Sequence, residues 1–197
     1  MQQGPWRLVL GGMIAMAAGM GVGRFVYTPI LPVMVEQLGL TTSHAGLIAS
    51  ANYLGHLAGA LLAAASVLTG SRYRYMLIAL TVNVVGLIVM GLTDSFLALL
   101  AIRFVTGMAG AFVLIFASAL VLDRLAASGH GSLSSWHFGG VGAGIAISAP
   151  LVAWLVAGGA SWSTLWFVAA LLAFAGLVLS AWLIPATDPP AMGLPST

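Results

Sequence analysis

Apolar residues run along this chain in long blocks and do not alternate with polar ones. Six blocks, roughly 8–35, 44–69, 75–93, 96–122, 135–158 and 163–184, are close to or beyond the length of about 20 residues that an α-helix needs to cross a bilayer. None has the period-two alternation of a barrel strand. The pattern predicts an all-α, polytopic membrane protein whose six transmembrane helices occupy residues 1–184. Turn and charge signals fall between the blocks: "EQLGLTTSH" (36–44), "TGSRYR" (69–74), "TDS" (93–95), "DRLAASGHGSLSS" (123–135) and "GGASWS" (158–163). The proline-rich end, "PATDPPAMGLPST" (185–197), reads as a cytoplasmic tail or the start of a linker.

Composition adds exclusions to this picture. Charged residues make up 5% of the chain against about 25% in soluble domains, too few to solvate a surface or hold nucleic acid. The absence of cysteine rules out disulfides, thiolate metal sites and a cysteine nucleophile. The segment "GMGVGR" (19–24) lies inside a span and follows no strand, so it is not a phosphate loop. Ser132, Ser134 and Ser135 lie near His137, but no matching acid or nucleophile-elbow turn makes a hydrolase of them. Neither a cofactor, a metal nor an enzymatic activity is expected. Arg7 followed by an apolar run and by Ala15 and Ala17 has the look of a signal peptide, yet hydrophobic character continues to Val35, as a spanning helix requires.

Arginine placement orients the spans. Arg7, Arg72, Arg74 and Arg124 fall in regions that share one side, while the other side carries Glu36 and Asp94 and no arginine. The positive-inside rule makes the arginine side, and with it both termini, cytoplasmic. Trp6, Trp136, Trp162 and Trp182 sit near span ends, where aromatic anchors belong. His44, His130 and His137, also near span ends, read as plain interfacial residues.

Two arginines remain, Arg24 and Arg103, and both lie well within spans. Arg24 is about 24 Å along the first helix at ~1.5 Å per residue. Insertion of arginine at a helix centre costs ~2.5–3.5 kcal/mol, which calls for partners, a wet cavity or a bound anion. No spanning segment has a carboxylate near its centre. Polar neutral groups are available: Tyr27 and Thr28 soon after Arg24, and Asn52 and His56, which share a helical face with Gly59 through the i, i+4, i+7 spacing. Pro29 and Pro32 free the carbonyls of Phe25 and Thr28. Arg24 is therefore a candidate solute-binding residue, with Tyr27, Thr28, Asn52 and His56 as cavity companions; a buried arginine bonded to carbonyls is the structural alternative, and for Arg103 that alternative is the stronger. His56 reads equally as a helix–helix hydrogen bonder, and Asn83 as interhelical glue. The pairs Gly19 and Gly23, Gly55 and Gly59, and Gly140 and Gly144 have the small-xxx-small spacing of close helix packing.

The tripeptide Arg-Phe-Val occurs in "GRFVYTP" (23–29) and again in "IRFVTGM" (102–108), in the first and fourth spans. Inverted three-helix repeats in transporters pair those two helices, so the six spans read as three plus three.

With these features the sequence resembles the amino-terminal half of a major facilitator superfamily transporter. The stretches "GMGVGRFVYTPILPVM" (19–34) and "ANYLGHLAGALLA" (51–63) are similar to the YbfB/YjiJ bacterial branch, over the whole chain. The superfamily's fourth-span Arg-x-x-x-Gly pattern matches Arg103, Gly107 and Gly110, which the resemblance places near the transport path and ties to proton coupling. The usual Gly-x-x-x-Asp-Arg-x-Gly-Arg loop survives only as Gly59 or Gly70 with Arg72 and Arg74, its acid absent. The fifth span has Gly140, Gly142 and Gly144, but Pro150 comes six residues late for the antiporter motif, so direction of coupling is left open. The resemblance implies half of a twelve-helix fold in a bacterial inner membrane, a small polar or anionic solute, and a partner in the form of a second six-span unit or a second copy. A non-transporting membrane scaffold, associating through glycine-rich faces, is the rival reading.

Overall fold

The computed structural model describes residues 4–65 and 70–186. Among these residues there is no strand, and six helices are long and apolar enough to cross a membrane: α1 (Pro5–Leu38), α2 (Thr42–Ala64), α3 (Arg72–Met90), α4 (Phe96–Ala127), α5 (Ser134–Ala157, entered through a short 3₁₀ turn at Gly131–Leu133) and α6 (Trp162–Leu183). The sequence-predicted end of the second span at 66–69 and the tail from 187 lie outside the described residues.

Local chemistry sets the helix ends. The side chains of Thr41, Ser71 and Ser161 accept hydrogen bonds from the backbone N–H of His44, Arg74 and Thr164, capping α2, α3 and α6 where orphan donors need acceptors. At the far end of α1, Gly39 takes the left-handed conformation (φ 64°) that stops a helix without penalty.

One helix is broken inside. α1 is α-helical to Met16, π-helical over Ala17–Val22, irregular over residues 23–26, and α-helical again from Tyr27. Gly19, Gly21 and Gly23 have the lowest propensity for a regular helix after proline, and Pro29 and Pro32 remove two backbone donors just beyond. The Phe25 carbonyl, which Pro29 cannot reach with an N–H, is taken by the N–H of Thr28 instead at 3.1 Å.

Contacts arrange α2, α4, α1 and α5 side by side in one layer, with α3 behind α4, α6 behind α1, and α3 packed on α6. The flanking helices are covered on one side only: 22% of the apolar window of α2 and of α5 is buried, against 67% for α1. The core lies between the layers, around Tyr27, Ile30, Met34, Leu87, Leu99 and Trp166 at one end and Met76, Leu80, Val113 and Leu120 at the other. Glycines bring the backbones of the front layer together. A Cβ at Gly59 would lie 2.6 Å from the Met108 carbonyl oxygen across the α2–α4 seam, and one at Gly144 would lie 2.5 Å from that of Ala17 across α5–α1. Both distances are far inside van der Waals contact, so the paired glycines are packing devices in lipid.

The four terminal arginines gather at one end of the bundle. Arg7 donates to the Trp182 carbonyl at 2.8 Å and lies over the Trp182 ring; Arg124 reaches the Pro185 carbonyl; Trp6 meets Trp136 edge to face. Arg72 at the start of α3 pairs with Asp123 near the end of α4.

Candidate functional site

The break in α1 positions the site. Arg24 follows the π-helical turn directly, 19 residues after Pro5 and 14 before Leu38, near the middle of the span. Arg103 faces it from α4, almost wholly buried, and donates from Nη2 to the carbonyl oxygen of Arg24 at 3.3 Å. The two copies of Arg-Phe-Val thus meet in space: the side chain of the second satisfies a backbone acceptor that the irregular turn at the first has exposed.

Arg103 is held by a backbone carbonyl and a ring, with its buried Nε left unpartnered. Its guanidinium lies over the Tyr27 ring at 4.8 Å, and the Tyr27 hydroxyl donates to the Ala45 carbonyl at 3.0 Å. Its own carbonyl accepts from Asn52 Nδ2 at 3.0 Å and from the Thr106 hydroxyl at 3.2 Å. Asn52 and Tyr27, both predicted as cavity companions of Arg24, serve this junction of α1, α2 and α4 instead. Their apolar surroundings make each bond costly to lose, since an orphaned buried donor costs about 1–3 kcal/mol.

Arg24 is held differently. Among the described residues its guanidinium makes no hydrogen bond and no ion pair; it lies over the ring of Tyr53 at 4.6 Å and of Phe25 at 5.6 Å, with its buried Nε unpartnered. His56, half-buried on α2, also keeps a buried Nδ1 without a partner, beside Gly110. Gly107 packs against the Asn52 backbone, while Gly110 leaves room between His56, Met20 and Gly19. Thr28 is exposed. The described carboxylates, Glu36, Asp94 and Asp123, all lie at span ends. Two guanidinium groups therefore share the middle of the bundle without a compensating acid from this chain, an arrangement that favours an anion in a medium of low dielectric.

Two residues escaped the sequence reading. Tyr53 lies about 100° around α2 from Asn52, off the face drawn through Asn52, His56 and Gly59, but a side chain as long as arginine reaches round to it. His137 was expected at the interface and is instead fully buried, with Nε2 at 3.1 Å from the Ser118 hydroxyl of α4 and Nδ1 against Gly12 of α1. The signal was Gly12, whose missing side chain makes the space that the imidazole fills. Asn83, expected between helices, donates to Ala79 in its own helix and presents Oδ1 toward Gly23.

The two motif glycines of α4 should respond oppositely to one added methyl. A Cβ at Gly107 would fall on the Asn52 carbonyl oxygen, whereas at Gly110 the nearest atoms are 3.6–3.8 Å away. Gly107→Ala is expected to destabilise by about 1–3 kcal/mol through overpacking. Gly110→Ala is expected to be neutral or to gain up to ~1 kcal/mol from helix propensity. Thermal unfolding in detergent reads both.

Six helices long and apolar enough to cross a membrane, with two arginines at mid-span, define a class, the polytopic membrane proteins. The family model described as uncharacterised MFS-type transporter YbfB matches residues 16–195, and the chain belongs to that family. No curated protein matches the chain.

Proposed function

We propose that the chain is the amino-terminal half of a secondary active transporter for a small polar or anionic solute, working with a second six-span unit or a second copy of itself. The observation that carries this reading is Arg24, a guanidinium at mid-span with ring faces beneath it and no hydrogen-bonding partner among the described residues. A scaffold has no use for an interior cation that costs several kcal/mol to insert; a carrier of anions does. Arg24 binds the solute, His56 offers a second polar contact, Arg103 with Tyr27, Asn52 and Gly107 holds the helix junction that fixes Arg24, and Gly110 leaves the space beside His56. Thr28, exposed, belongs to the face that a second unit covers. The uncovered sides of α2 and α5 support such a unit, because alternating access needs one bundle to rock against another.

The test is solute uptake in vesicles of the native membrane under an imposed proton gradient. Accumulation that collapses with a protonophore is expected; accumulation indifferent to every ion gradient would reject secondary transport.

In the same reading the membrane is the bacterial inner membrane and both termini are cytoplasmic. On this cysteine-free chain, Ser95→Cys is expected to react with an impermeant thiol reagent applied to intact cells, and Ala127→Cys only after permeabilisation. The reverse pattern would invert the orientation.

A further inference from the structure

We infer that the Arg24 site selects an organic monocarboxylate with a flat apolar body over inorganic anions and over neutral polar solutes, with Tyr53 as the residue that sets this preference. The inference rests on the transport reading for the existence of the site and goes beyond it in naming the ligand class.

Charge comes first. Of the two interior arginines, Arg103 is spent on the Arg24 carbonyl and the Tyr27 face, which leaves one guanidinium to receive a ligand. Among the described residues the Arg24 guanidinium is the one without a hydrogen bond, so the donors on offer suit one carboxylate. Geometry comes second. The Arg24 guanidinium carbon lies 4.6 Å from the Tyr53 ring centroid, and a carboxylate takes a guanidinium's edge through two parallel N–H donors. Such a ligand lies near the plane of the guanidinium, so its body extends over whatever surrounds the Arg24–Tyr53 pair.

The surroundings are apolar. Phe25 lies 5.6 Å from the Arg24 guanidinium, Tyr53 is 58% exposed, and Leu57, one turn along α2 from Tyr53, is 57% exposed. Water or an inorganic ion gains nothing from these surfaces, whereas a flat hydrocarbon body gains burial and ring contact. Depth excludes another source of the same charge: Arg24 lies about 21 Å along the helix from Leu38 at ~1.5 Å per residue, and still farther from Pro5, beyond a lipid headgroup seated at either interface.

The experiment uses the full chain in nanodiscs of phosphatidylcholine, titrated calorimetrically with benzoate, acetate, inorganic phosphate and benzamide. Benzoate is expected to bind about 2–10-fold more tightly than acetate or phosphate, the size of one ring contact. Benzamide, the same shape without charge, should give no measurable heat. Tyr53→Leu, at an exposed position where folding is not at stake, should reduce benzoate to the acetate level, and Tyr53→Phe, which keeps the ring, should restore the preference. Equal, Arg24-dependent affinities for benzoate, acetate and phosphate would overturn the inference while leaving an anion site in place. A benzoate preference that survives Tyr53→Leu would overturn the role of Tyr53. Binding unchanged in Arg24→Gln would overturn the inference and the transport reading together.

Discussion

Arg24→Ala abolishes solute uptake while the protein still inserts in the membrane: this is the largest effect expected of any single substitution here. A charge-assisted pair of hydrogen bonds to a carboxylate is worth about 1.5–3 kcal/mol, or roughly 10–100-fold in affinity, before any effect on the transport step. Insertion moves the other way, because removing a mid-span charge relieves a cost of ~2.5–3.5 kcal/mol. Arg24→Lys should recover only part of the loss, since an ammonium keeps the charge and lacks the planar fork. Uptake rates in vesicles, normalised to the amount of protein in the membrane, separate these outcomes. Wild-type uptake by the alanine variant would assign Arg24 to structure alone.

The second large effect concerns the bundle by itself. Purified chain reconstituted as a demonstrated monomer is expected to show no gradient-driven uptake. One layer of α2, α4, α1 and α5 offers a single wall, and the half-exposed Arg24 and His56 on it would face lipid where unsatisfied polar groups cost several kcal/mol. The same cost should drive self-association, which cross-linking in the liposome scores. A parallel pair of copies that transports would be consistent with the proposal; transport by the monomer would demand a complete path within six helices and would refute it.

The fold was legible in the sequence because lipid imposes a single rule on it: long apolar runs must be helices, and successive breaks must alternate sides, which brings the arginine-bearing ones to the same end. The glycine seams were equally legible, since Gly55 with Gly59 and Gly140 with Gly144 need only helical spacing to share a face. Within the site, legibility failed where a side chain's reach mattered more than its position. Asn52 was expected on one face with His56 and Gly59, as a companion of Arg24, and it bonds the Arg103 backbone of α4; a one-dimensional pattern cannot say which atom of a neighbouring helix an amide will find. Tyr53 was passed over because it lies off that face, although it holds Arg24 more closely than any predicted companion does. His137 shows the complementary failure: distance from a span end is a poor guide to burial when a glycine on another helix opens a socket.

The meeting of Arg103 with the Arg24 carbonyl has a consequence for how genetic screens of this protein will read. Two copies of one tripeptide have divided the labour, one guanidinium serving the backbone of its counterpart and the other, in the function proposed above, receiving the cargo. A screen for lost uptake will score the two arginines alike, as if both touched the solute. Only heat will tell them apart, since the variant at Arg103 melts early while the variant at Arg24 keeps its shape.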